Sequence, residues 1–169
     1  MKKLLHYVGR AWSFITARIP GDHMVINKTS EVPQFLEQAN NELSKLGKID
    51  MRVFDIEACS PNMPQQTIRT ALQEIIQRLK QEQREGVWVP KYSDSQQCMW
   101  KTRRPTMVWI PFEVMCDVME FALDNTFIKM PGEQLMKQIK GIPMGDPLSP
   151  GMTIGTCAWM EGKWLRKVQ

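Results

Sequence analysis

The sequence is short of metal-ligand and redox chemistry. It holds two histidines, His6 and His23, and four cysteines, Cys59, Cys98, Cys116 and Cys157, with no C-x-x-C pair among them. That spacing argues against a zinc site, and scattered thiols of this kind are by default reduced, in an intracellular setting. No apolar run is long enough to cross a bilayer, so no membrane partner is expected. The start, MKKLLHYVGRAWSFI, has a basic lead and an apolar stretch. His6, Gly9 and Arg10 interrupt it and no small-residue cleavage site follows, so it reads as an ordinary first element and not as a targeting segment. Repeats and low-complexity tracts are absent, and there is no basic tail. Residues 1–85 carry 12 Lys/Arg against 10 Asp/Glu, and residues 86–169 carry 10 against 8. The net charge of +4 is thus spread evenly, which is compatible with a nucleic-acid channel without pointing to one. No Asp-Asp pair occurs anywhere.

What is present is the composition of one globular domain: 169 residues, 43% hydrophobic and 24% charged. Thirteen Met and six Trp imply a soft core with several half-buried indoles. Residues 16–30, broken by Pro20, Gly21 and Asp22, read as loop with a short strand at Met24–Ile26. A helix is expected after Thr29 or Ser30, with Val32, Leu36, Ala39, Leu43 and Leu46 at helical spacing and Gly47 as its stop. Ile49 to Ile56 suits a short buried strand. Pro61, Asn62 and Pro64 make a turn, and a second helix runs from Gln65 to about Arg84 on a stripe of Ile68, Leu72, Ile75 and Leu79, flanked by Ala71 and Ile76. VWVPKY and TMVWIP read as strands separated by polar SDSQQ and basic KTRRP. A third helix is expected from Pro111 to Leu123, with Val114, Val118, Phe121 and Ala122 facing the core. FIKM (127–130), a Pro131-Gly132 turn and LMKQIK (135–140) form a hairpin, and a last helix begins after Ser149 with Pro150 at its first position. The fold class is α+β, with a small antiparallel sheet packed with helices.

Two stretches carry more than local structure. The run VFDIEACSPNMP resembles motif A of reverse transcriptases, a strand ending in Phe-Asp-Ile that turns into a helix. QIKGIPMGDPLSPGM resembles motif B of the same enzymes, a Gly-Ile-Pro-x-Gly-x-x-Leu-Ser-Pro pattern opening a long helix. The hairpin between them also fits, and the form of both motifs is most similar to the branch of Penelope-like retroelements. The resemblance runs from about residue 24 to residue 165. It implies a single partial domain, polymerase fingers plus the first part of the palm, with the rest of the palm and the thumb expected elsewhere.

The resemblance implies template-directed nucleotidyl transfer, with RNA template, primer–template duplex and nucleoside triphosphates as partners and Mg2+ or Mn2+ as the cofactor of the complete enzyme. Such chemistry uses two divalent ions and hard oxygen ligands. Asp55 is the implied catalytic residue and metal ligand, and the carbonyl of Ile56 a further ligand; read alone, Asp55 would be a cap or turn former. The Gly141–Pro150 turn, with Gly141, Pro143, Met144, Gly145 and Pro147, is implied to line the nucleotide and template pocket, because glycine admits close backbone approach and proline limits freedom. Its local reading is a tight strand-to-helix loop. Gln138 and Lys140, on the strand entering it, and the cluster Lys101, Arg103 and Arg104 read equally as template contacts or as solvated faces.

Two departures matter. Five residues after Asp55 the family usually has Tyr or Phe, whose ring excludes a 2′-hydroxyl; here Ser60 stands there. The family's Tyr-x-Asp-Asp turn, which completes the metal site, is absent. The stretch alone is therefore expected to be inactive or weak. The runner-up reading is a non-catalytic reverse-transcriptase-like module that binds RNA or protein. An RNA-dependent RNA polymerase is disfavoured by the lack of a second motif A aspartate and of an asparagine in the motif B helix.

Overall fold

The structure, a computed structural model, describes residues 2–19, 29–46, 59–92, 97–102, 104–143 and 145–168. The chain divides into two compact units, Met24–Glu57 and the remainder. In the smaller unit, α2 (Val32–Leu43) has a 3-10 turn at each end, Thr29–Glu31 and Ser44–Leu46. Pro33 sits in its first turn, where no intrahelical N–H is needed. The Ile49–Ile56 strand, the Met24–Ile26 strand and Gly47 lie outside the described residues.

The larger unit begins with α1 (Lys2–Thr16), followed after the gap by a single helical turn α3 (Cys59–Asn62) and by α4 (Gln65–Gln81). Two strands, β1 (Gly86–Pro90) and β2 (Met107–Pro111), precede α5 (Phe112–Asp124); a second pair, β3 (Phe127–Lys129) and β4 (Leu135–Lys137), precedes α6 (Ser149–Val168). The chain is therefore α+β, with two small antiparallel two-stranded sheets. Helix α6 packs against both α1 and α4, and α1 also packs on β1.

The expected stripe of α4 is the core face: Ile68, Ala71, Leu72, Ile75, Ile76 and Leu79 are all buried. The helix ends earlier than its periodicity suggests. Gln83 turns left-handed at φ 59, its N–H bonds to the Lys80 carbonyl, and the Arg84 N–H bonds to Leu79. This is a Schellman stop, built on glutamine where glycine is usual. The core face of α5 is also displaced from expectation. Phe112, Met115, Met119 and Leu123 are buried with Val118 and Ala122, whereas Phe121 is 47% exposed. Pro111 is not the first helical residue but its cap, extended at ψ 152 and still part of β2. The Pro61–Asn62–Pro64 segment is helical over its first part rather than a simple turn, because the Met63 N–H bonds back to Cys59.

Helix α1 is more central than an ordinary first element. Val8, Ala11, Trp12 and Ile15 are fully buried. They fall three and four residues apart, one face of a helix. Glycine permits close approach of α1 to α6 and to the turn before it: a Cβ on Gly151 would stand 2.5 Å from Trp12 Cβ, and a Cβ on Gly9 would stand 2.3 Å from the Pro147 carbonyl oxygen. In β1–β2 the register pairs Trp88 with Trp109. The β3–β4 ribbon turns at Gly132, φ 87, and Glu133, φ 65, and every residue of both its strands is exposed.

Candidate functional site

The turn that opens α6 is held from two sides. On its far side, Asp146 makes a local turn ahead of the helix: its carboxylate accepts from the Leu148 N–H at 2.8 Å and its carbonyl from the Ser149 N–H at 3.0 Å. The Ser149 hydroxyl donates to the Pro143 carbonyl, and Ile142, Pro143 and Leu148 are buried. On its near side the turn is bonded to α3 and the residue after it. The Gly141 N–H donates to the Met63 carbonyl at 2.9 Å, and the Ile142 N–H to the Ser60 carbonyl at 2.9 Å. Gly141 sits at φ 81, and a Cβ there would meet the Pro61 carbonyl oxygen at 2.5 Å. Only glycine admits both that conformation and that approach.

Side chains extend the seam. Ser60 Oγ lies 3.4 Å from Thr153 Oγ1 on α6, so it faces that helix and is half-buried. Lys140 Nζ donates to Asn62 Oδ1 at 3.1 Å, and Gln65 Nε2 donates to the Gln138 carbonyl at 3.3 Å and the Leu123 carbonyl at 3.4 Å. Gln138 Nε2 folds back on the Lys140 carbonyl at 2.8 Å. Both residues thus have structural roles at the seam, and Lys140 is exposed. Gly145 is exposed at φ 82 with open space around it, and Pro147 turns its carbonyl toward Gly9. Asp55, Ile56, Met144 and Arg103 lie outside the described residues. Arg104 is exposed, its N–H on Thr102 Oγ1 at 3.3 Å, and Lys101 is exposed at the β1–β2 end of the unit.

The expected residues therefore fall into two places. Ser60, Gln138, Lys140, Gly141 and Pro143 meet at the α3–α6 seam. Lys101 is apart from them, beside three tryptophans that the sequence did not single out. Trp88, Trp100 and Trp109 line a cavity of about 620 Å3 with Lys101 and Thr102. A second cavity, of about 490 Å3, lies between α1 and the α6 turn and holds His6, Arg10, Ser13 and Asp146.

Burial pushes the Cys98 and Cys116 thiols up, and burial together with the neighbouring Cys59 thiol pushes Cys157 up to about 11. Among the described residues no three His, Cys, Asp or Glu side chains gather as a metal-ion site. No described helix is long and apolar enough to cross a membrane.

Compared with known proteins, the chain matches no family model, no curated protein and no solved structure. The seam and the indole-lined cavity are the places from which function must be argued.

Proposed function

We propose that this chain is the fingers and first palm portion of a retroelement-type, reverse-transcriptase-like RNA-directed DNA polymerase. The observation that supports it is the backbone seam. The segment after the motif A aspartate and the glycine turn of motif B are bonded through Gly141 to Met63 and Ile142 to Ser60. Two stretches far apart in sequence would have to meet in this way to line one nucleotide pocket.

In this reading the described residues position and do not react. The glycine turn brings backbone, unshielded by side chains, up to the α3 segment, and Pro143 and the Asp146 side-chain turn hold its shape, so little conformational freedom remains to be lost on binding. Divalent ions would rest on Asp55 and on carboxylates that this stretch does not hold, since it has no Asp-Asp pair. The described residues alone do not form a magnesium site.

The test joins the chain to a palm and thumb segment carrying a Tyr-x-Asp-Asp turn and measures primer extension. Extension by the fusion, and its loss in Asp55→Asn, are the expected results, because the amide keeps the shape without the charge. A fusion that extends equally well with Asp55→Asn sinks the reading. Sugar choice is the finer measurement. With Ser60 in place of an aromatic ring, discrimination against ribonucleotides should be weak, and Ser60→Tyr should restore part of it.

The non-catalytic module remains the second reading, favoured by Ser60 standing against Thr153 and by the missing Asp-Asp pair. A fusion that binds primer–template tightly and never extends it is the result that selects this reading.

A further inference from the structure

The indole-lined cavity has no part in the seam, and its construction is specific. Trp88 gives its N–H to the Met99 carbonyl at 2.9 Å and accepts the Met99 N–H at 3.0 Å. Its backbone groups therefore point away from β2, and it faces Trp109 as a non-hydrogen-bonded pair, the arrangement that brings cross-strand side chains closest. The two indoles stand 5.4 Å apart between centroids, tilted by 48°. Trp100 completes the wall. Phe14 packs edge-on against it at 4.9 Å and the Arg84 guanidinium lies 5.1 Å from its centroid. All three indoles are half-buried, so each is anchored and still presents surface to the cavity.

The cavity's charge narrows the ligand. Its volume of about 620 Å3 falls within the roughly 300–1,000 Å3 of small-ligand clefts. Lys101 is exposed at its edge, no acidic residue lines it among the described residues, and Arg104 is exposed close by in sequence. A quaternary ammonium would suit an aromatic cage but is repelled by Lys101. A flat, apolar-faced group attached to a negative charge suits both walls and edge. A nucleobase with its phosphate has that chemistry.

We propose that the Trp88–Trp100–Trp109 cavity stacks unpaired bases of single-stranded nucleic acid, with Lys101 holding an adjoining phosphate. It rests on the nucleic-acid side of the polymerase reading for the class of partner, while using none of the seam residues. Stacking reads a π-face that every base has, so binding is tolerant of sequence and of sugar.

The experiment is a titration of the full chain with oligo(U) and oligo(dT) of about twelve nucleotides, within known single-strand site sizes, read by tryptophan fluorescence and by anisotropy. Both probes should bind and quench. Trp109→Ala and Trp88→Ala should each weaken binding at least about fivefold. Because an indole deletion in a strand can cost folding, Lys101→Glu, at an exposed position, provides the second arm: it should weaken binding and lower the salt slope by about one. An abasic oligomer of equal length should bind several-fold more weakly. Equal binding of the abasic strand, or folded variants at all three positions with unchanged affinity for either probe, overturns the cavity assignment and leaves the polymerase reading standing. Quenching by a proline-rich peptide, with none by either oligonucleotide, overturns it in favour of peptide recognition. A chain that binds neither single strands nor primer–template defeats both readings.

Discussion

The Ile142 amide donates to the Ser60 carbonyl at 2.9 Å, a main-chain bond that ties the turn before α6 to α3. Beside that bond Gly141 has no room for a side chain, since a Cβ would lie 2.5 Å from the Pro61 carbonyl oxygen.

Comparing the two left-handed glycines of the turn isolates that contact. Gly145, φ 82, has nothing near its Cβ position, so Gly145→Ala should cost only the backbone penalty of about 1–2 kcal/mol. Gly141→Ala adds a clash against backbone and should cost at least about 3 kcal/mol. Urea unfolding of the two variants checks it; equal losses would mean that the Pro61 contact yields easily.

The α1–α6 crossing reverses a familiar sign. An alanine in place of a helical glycine normally stabilises by roughly 0.5–1 kcal/mol. At Gly151 the new Cβ would stand 2.5 Å from Trp12 Cβ, so Gly151→Ala should destabilise by about 1–3 kcal/mol instead. A rise in melting temperature for Gly151→Ala would show that the helices separate at little cost.

Gln83 offers the opposite change. It is an exposed, non-glycine residue at φ 59 in the Schellman stop of α4. Gln83→Gly should stabilise the protein by up to about 1 kcal/mol, relief of left-handed strain partly offset by the freer unfolded chain. Thermal unfolding of the variant is the check.

Glu74 links α4 to α6. Its carboxyl is held below its ordinary value of 4.5 chiefly because the Trp159 indole N–H donates to it at 2.9 Å; burial opposes this, and Lys163 at 3.3 Å lowers it further. A depressed carboxylate contributes stability that is fully present above its unfolded value and is lost as pH falls through the folded one. Unfolding free energy should therefore drop as pH falls below the ordinary carboxyl value of 4.5. Glu74→Gln should remove this component and cost on the order of 1 kcal/mol at neutral pH, as the amide oxygen still accepts from Trp159. An acid limb identical in both proteins would assign the loss to other carboxylates.

Much of the helical framework is legible in the sequence, because α4 repeats Ile and Leu at an unbroken helical period and its stripe is the buried face. The face of α5 is less so. Phe121 is the more conspicuous hydrophobe, yet the helix buries Met115 and Met119, and flexible methionines are easily underweighted against aromatics. Gly9 and Gly151 look like interruptions until the crossing of α1 and α6 gives them a reason. The Trp88–Trp109 pair depends on strand register, which the polar connection between the strands does not announce. The Gly141–Pro150 turn is visible from its glycines and prolines, but the bonds from Gly141 and Ile142 to residues 63 and 60 are between main-chain groups and have no side-chain signature.

The β3–β4 ribbon has three residue pairs, both strands exposed and, among the described residues, no third strand. Its ladder lacks the apolar cover that makes opening expensive. Its amides should exchange with solvent deuterium far faster than those of α4 or α6, and on a timescale set by local fraying, not by global unfolding. Between two well-packed helices, α5 and α6, the chain thus carries a segment that can change its pairing while the core stays closed.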